Sequence, residues 1–241
     1  MQVQHIADQI LSRIPDDRRI KKLWAPRPES GTTNHITSIE DAPLHNGDWL
    51  ILARTNDKLI KLKSTLKDMA IYFEIKGRKS YKTRLYTAIK NYTRWTNGDK
   101  LSLSECKDLL EFLEEDIELK EERMYDLYEF GYVRTHEWYD VFKTEPEESL
   151  YIREMLRLKE ELSKPARVKL STIHAAKGCE ATNVLLILDN TKKIREAIER
   201  SEDKYDEEQR VWYVGVTRTK QNLYILTAKY EDKGYDIESL G

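Results

Sequence analysis

Residues 171–180, STIHAAKGCE, place a histidine, a lysine, a glycine and a glutamate in one short polar loop directly ahead of the apolar run VLLIL. A Lys-Gly pair beside a strand suits phosphate handling. Two other element ends carry permanent cations: the stretch WLILARTN ends in Arg54-Thr55-Asn56, and Arg218 follows YVGVT. Guanidinium forks bind phosphate oxygens bidentately and keep their charge. With Arg54, Arg218 and the polar loop expected at one edge of a sheet, the three make a polyanion site. Glu180 would repel phosphate but can accept hydrogen bonds from sugar hydroxyls, so phosphate plus ribose points to a nucleotide.

A nucleotide site also needs a phosphate cradle, and the common one is G-x-x-x-x-G-K-[ST] after a strand. YFEIKGRKS comes nearest and does not fit, because Tyr72 stands in place of the first glycine and Arg78 in place of the lysine. The chain therefore offers arginines and a ribose contact without a cradle, as one side of a site shared between two domains would. Within KGRKSYKTRLY, Lys76, Arg78, Lys79, Lys82 and Arg84 interleave with Tyr81 and Tyr86. Such a run is a candidate contact for single-stranded nucleic acid, cations on the backbone and rings on the bases. A solvated basic turn and helix start reads the same residues equally well.

The elements that must position these groups follow from periodicity. IADQILSRI puts Ile6, Ile10 and Ile14 on one helical stripe. WAPRPESGTTN then reads as a connector. DWLILARTN is a short buried strand, DKLIKLKSTLKDMA a helix with Leu59, Leu62, Leu66 and Met69 at helical spacing and Asn56 or Asp57 as its cap, and IYFEI a second strand. A strand, helix, strand order favours a parallel sheet with ligands at the strand C-termini. From residue 76 to 166 the chain turns charged and helical. There SLSECKDLLEFLEEDIELKEE places Cys106, Leu109, Leu110, Leu113 and Ile117 on one face, with Ser104 as its cap. After residue 167, VKLSTI, NVLLIL and NLYILTA are strands, and DEEQRVWYVGVTRTK an amphipathic helix between the last two.

Composition narrows the class without choosing it. Lys and Arg number 41 against 43 Asp and Glu, so the net charge of -2 argues neither for nor against nucleic acid. Cys106 and Cys179 have no metal-ligand spacing and read as reduced cytosolic thiols. Neither a signal peptide nor about 18 consecutive apolar residues is present, which predicts a cytoplasmic protein, of a cell or of a virus acting in one, with no membrane partner.

Three stretches together carry a resemblance. STIHAAKGCEATNVLLIL resembles motif V, DEEQRVWYVGVTRTKQNLYIL motif VI and WLILARTN motif IV of the UvrD/Rep/PcrA-type superfamily I DNA helicases. Their order and spacing match, and the helical insertion falls where that family carries its accessory subdomain. The resemblance implies an α/β fold: a RecA-like parallel sheet flanked by helices, without its own P-loop, interrupted by a reduced helical subdomain. Residues 1–47 would be a helix and connector from a preceding domain, 48–75 plus 167–241 the second RecA-like domain, and 76–166 the insertion.

For function, the resemblance implies the C-terminal motor half of an ATP-dependent helicase or translocase running 3′ to 5′. ATP with Mg would be shared with an N-terminal RecA-like half. Arg54 and Arg218 would be the catalytic arginines at the γ-phosphate, while Glu180, with Gly178 and Arg210, would bind the nucleotide. Thr172, His174 and Lys177, together with Arg78 and Lys79, would contact single-stranded DNA. This chain alone would be inactive. Two alternatives stay open, a non-hydrolytic nucleic-acid-binding module that keeps the fold and the helicase part of a helicase-nuclease. Ala53 stands where family members carry an adenine-stacking tyrosine, and Gln209 replaces the first of two adjacent arginines in motif VI.

Overall fold

The structure is a computed structural model that describes residues 2–19, 31–113, 119, 122–130, 136–228 and 234–237. Residues 24–30 of the expected connector and Ile117 of the expected helical face lie outside them. The chain divides into two compact units, Met1–Arg78 with Lys164–Gly241, and Lys79–Ser163.

The larger unit begins with α1 (Gln2–Ser12) and β1 (Thr32–Ile36), then β2 (Trp49–Ala53), α2 (Asn56–Asp68), β3 (Phe73–Ile75) and β4 (Arg78–Lys79). The chain leaves this unit at β4 for α3 (Thr83–Thr96), α4 (Leu103–Leu113), α5 (Trp138–Val141) and α6 (Pro146–Arg157). It returns through β5 (Val168–Thr172), β6 (Ala181–Ile187), α7 (Lys192–Arg200), α8 (Glu202–Val216) and β7 (Thr219–Leu226). The strands form one sheet in the order β1-β7-β6-β2-β5-β3-β4, and β1 through β3 with β5 through β7 pair in parallel.

Strand β2 is central because all five of its residues, WLILA, are buried. Its side chains alternate between the two faces, as a strand's period of two requires. Trp49, Ile51 and Ala53 join a core with Leu59 and Leu66 of α2, whereas Leu50 and Leu52 face Ala7 and Ile10 of α1 and Trp212 and Val216 of α8. Burying each large aliphatic side chain contributes roughly 1.5–3 kcal/mol. The N-cap of α2 is Thr55, one residue before the first of the two expected caps.

The described residues of 1–47, the segment expected from a preceding domain, pack against this unit. Ile10 and Ile14 are buried, Ala7 and Ile10 enter the core beneath α8, and β1 extends the sheet beside β7. An apolar helical stripe needs a partner, and α8 supplies it.

The smaller unit is helical with an aromatic core. Tyr92 and Trp95 of α3 are buried, as are Cys106, Leu109, Leu110 and Leu113 of α4, at the spacing that predicts them. Phe142 lies edge-on to Tyr92 at 5.4 Å and stacks on Phe112 at 5.9 Å, arrangements that rings favour through their quadrupoles. The cap of α4 is Ser102 rather than Ser104. Ser102 N–H donates to the Glu105 carboxylate, and Glu105 N–H donates back to the Ser102 hydroxyl, a capping box.

Candidate functional site at the two rims of the sheet

Parallel register decides where each candidate residue sits. Ala53, Thr172 and Ile187 are partners at the C-terminal rim of β2, β5 and β6, while Ala181 pairs with Thr219 at the N-terminal rim. Six steps along β6, from Ala181 to Ile187, separate the rims, about 20 Å at 3.3 Å per residue. Arg54, following β2, and His174, following β5, therefore belong to one rim. Glu180, preceding β6, and Arg218, preceding β7, belong to the other.

This corrects the expectation that Arg54, Glu180 and Arg218 share an edge. Two arginines with Cα atoms that far apart cannot both reach one phosphate. Residues 173–180 do not stay at one rim either. Because β5 and β6 run parallel with only this segment between them, it must travel back along the sheet. Ile173 and Ala176 are buried on the α8 face as it does so.

At the C-terminal rim, Arg54 Nε donates to both carboxylate oxygens of Glu208 at 2.9 Å. Glu208, on α8, is 3 % exposed. The pair stands in a cavity of about 330 Å³ that His174 and Arg210 also line. Arg210, expected beside Glu180 and Gly178, is thus on the other side of the sheet's length, and its Nη2 donates to the Arg18 carbonyl at 3.0 Å. Thr172 acts within its own turn. Its hydroxyl accepts the Ala175 N–H and its carbonyl the Ala176 N–H, which closes the loop that presents exposed His174.

The same rim continues past β5 to β3. Lys76 and Gly77 follow β3 with φ of 51° and 74°, the two positive values of a tight hairpin turn, and lead into exposed Arg78. Lys79 is not offered with them. Its Nζ donates to the Leu162 carbonyl at 3.0 Å and the Tyr81 hydroxyl at 3.1 Å, so it serves the interior of the smaller unit rather than a ligand.

At the N-terminal rim, the Ala181 N–H donates to the Arg218 carbonyl at 3.2 Å, which sets Glu180 beside Arg218. Arg218 Nε donates to the Val214 carbonyl at 3.1 Å and Nη2 to the Thr217 hydroxyl at 3.3 Å. It therefore closes the C-terminal turn of α8, where a cation is favoured by the helix dipole. Gly178, at φ 86°, turns the chain into this rim, and a Cβ there would meet nothing within 4 Å. Backbone conformation, not crowding, accounts for a glycine. Lys177 is exposed beside it. Nearby Asp48 accepts the Thr182 N–H at 2.8 Å. Burial pushes its carboxyl up, but the Thr182 hydrogen bonds, its own backbone N–H and the Lys220 charge together hold it below the usual aspartate value.

Sequence reasoning missed two contributors, Glu208 and α7. A glutamate inside an acidic helix start looks like a solvated charge, and only the fold brings it to Arg54. Helix α7, KKIREAIER, was recognisable from Thr191 as N-cap and from Ile194, Ala197 and Ile198 at helical spacing.

No group of three or more His, Cys, Asp or Glu able to hold a metal exists among the described residues. None of their helices is long and apolar enough to cross a membrane.

A predominantly parallel seven-stranded sheet with helices on both faces, entered by a helical insertion after β4, defines a RecA-like α/β unit. Residues 79–230 match the UvrD-like helicase C-terminal domain, and the chain belongs to that family. No curated protein matches it.

Proposed function

We propose that this chain is the C-terminal motor half of an ATP-dependent DNA helicase or translocase, moving 3′ to 5′, whose nucleotide and DNA contacts lie on opposite rims of one sheet. The observation that carries the reading is the path of residues 173–180. That segment joins the His174 rim directly to the Glu180 rim, so the ends of one motif meet two ligands.

Arg218 and Glu180 fit a nucleotide presented from another domain. Arg218 keeps one terminal nitrogen outside its hydrogen bonds to Val214 and Thr217, and Glu180 is an exposed carboxylate beside it. Glu180 would accept from the ribose hydroxyls, and Arg218 would neutralise charge on the transferring phosphoryl group. The P-loop and the groups holding Mg would come from an N-terminal RecA-like half. Arg54 is assigned away from the γ-phosphate to the strand-binding rim, with His174, Lys76 and Arg78, where single-stranded DNA would cross the strand ends as a phosphate track.

The test is Arg218→Ala in the complete enzyme. Loss of an arginine finger lowers kcat on the order of 10³-fold. Near-normal turnover would remove the role, and DNA-stimulated ATP hydrolysis by residues 1–241 alone would show that the nucleotide site is placed wrongly.

A further inference from the structure

The cavity at the C-terminal rim has two chemically different walls. One is apolar, built from Ile194, Ala197 and Ile198 of α7 and Val211 of α8. The other presents Arg54 and His174. Its volume of about 330 Å³ is at the lower end of ligand-sized pockets.

Among the described residues Arg54 spends only Nε, on Glu208, which leaves its terminal nitrogens for an acceptor at the cavity that it lines. Glu208 thus acts as a positioning residue, fixing the guanidinium plane while neutralising part of its charge. The remaining lining charges, Lys204 and Arg210 against Glu207, leave the cavity with three permanent cations and two carboxylates. Lys204 and Glu207 satisfy each other at 2.7 Å, which keeps that carboxylate from opposing an anion. An apolar slot next to guanidinium and imidazole donors matches the two halves of a nucleotide, a flat base and a phosphate.

We propose that the cavity between α7 and α8 is a subsite for one nucleotide of the single strand, its base against Ile194, Ala197 and Ile198 and its phosphate on Arg54 and His174. The proposal rests on the reading of this rim as the strand-binding face. Helix α7 supplies the base wall: no side chain in it is fully buried, and its half-buried apolar residues line the slot.

The test uses the 241-residue chain and fluorescein-labelled oligo(dT) by fluorescence anisotropy, with a single abasic site moved stepwise along the oligonucleotide. Burying roughly 60 Å² of one base against this aliphatic wall is worth roughly tenfold in affinity. One position, or two adjacent ones, should therefore weaken binding by about that factor while the others change little. Ala197→Trp fills the slot, so intact oligo(dT) should bind that variant roughly tenfold more weakly and the positional dependence should vanish. A flat abasic scan with the unaltered chain overturns the subsite and leaves the strand-binding rim standing, as does a positional dependence that survives Ala197→Trp. Failure of oligo(dT) to bind at all overturns the rim assignment and the subsite with it. Should Ala197→Trp fail to fold, the abasic scan of the unaltered chain decides alone.

Discussion

Replacing Arg54 by methionine removes the partner of an enclosed carboxylate. Glu208 has 4 % of its side chain exposed and Arg54 20 %, so the pair is shielded on one side and reachable by water on the other. Breaking a fully buried pair by deleting one partner costs about 3–5 kcal/mol, and partial access for water sets about 3 kcal/mol for Arg54→Met. Glu208→Leu leaves the more exposed guanidinium without its acceptor, for about 1–2 kcal/mol. Apolar residues of similar volume at both positions restore packing without an orphaned charge, so Arg54→Met with Glu208→Leu should cost about 1 kcal/mol or less. The double-mutant cycle then gives a coupling of at least about 3 kcal/mol.

Urea unfolding of the four chains reads this directly. Thermal melts should show the Arg54→Met variant lowered by roughly 6–12 °C and the double variant close to the parent. Single-strand binding separates structure from recognition, because the double variant regains stability but not the terminal nitrogens of Arg54. Its affinity for oligo(dT) should stay below the parent's, with a shallower salt dependence by about one phosphate contact. Costs that add within about 0.5 kcal/mol would refute the pairing argument, and full binding by the stable double variant would refute Arg54 as a DNA contact.

Gly178→Ala should cost about 1–2 kcal/mol, the penalty of a Cβ at positive φ, with no contribution from crowding because the space is open. Gly178→Asn should lose less, since asparagine tolerates that conformation, and equal urea midpoints for Ala and the parent would exclude the backbone explanation. The two thiols should separate cleanly in a dithiobis(nitrobenzoate) titration. Cys179 is exposed and should react at once. Burial, reinforced by Glu105 and Glu129, pushes the Cys106 thiol up to about 11, so it should react only after denaturant is added. Two fast equivalents from the folded chain would contradict the packing of α4.

The sequence made the sheet legible where strands are buried on both faces. WLILA and the VLLIL run of β6 could only be interior. Strand β1, TTNHI, escaped because a partly exposed edge strand needs few apolar residues. The candidate residues of motifs V and VI were legible as types, but their grouping was not. A residue next to a strand can stand at either end of it, and Arg54 follows its strand whereas Glu180 and Arg218 precede theirs. Pattern alone treats these as equivalent, although a parallel sheet puts them about 20 Å apart. The short segment between β5 and β6 held the missing information. Too few residues for a helical crossover, it forces the chain to run lengthwise over the face.

Two connections therefore link the rims on the same face of the sheet, and they touch. Helix α8 carries Glu208 toward one rim and ends at Val216, two residues before Arg218 on the other, and residues 173–180 run beside it. At Gly215 the helix comes so close that a Cβ would lie 3.0 Å from Leu186 Cδ1 and 3.3 Å from Ile173 Cδ1. Ile173 is the first residue of the crossover and adjoins His174. A glycine here lets the helix backbone rest on the segment that holds His174 at one end and Glu180 at the other. Close-packed interiors transmit displacement rather than absorb it. In the proposed motor, a shift of Arg218 along the axis of α8 would press on the start of the crossover at Ile173, and the Glu208 pair would carry it to Arg54. Closure on a nucleotide and movement along a strand would be joined through these contacts, within a single unit of the chain.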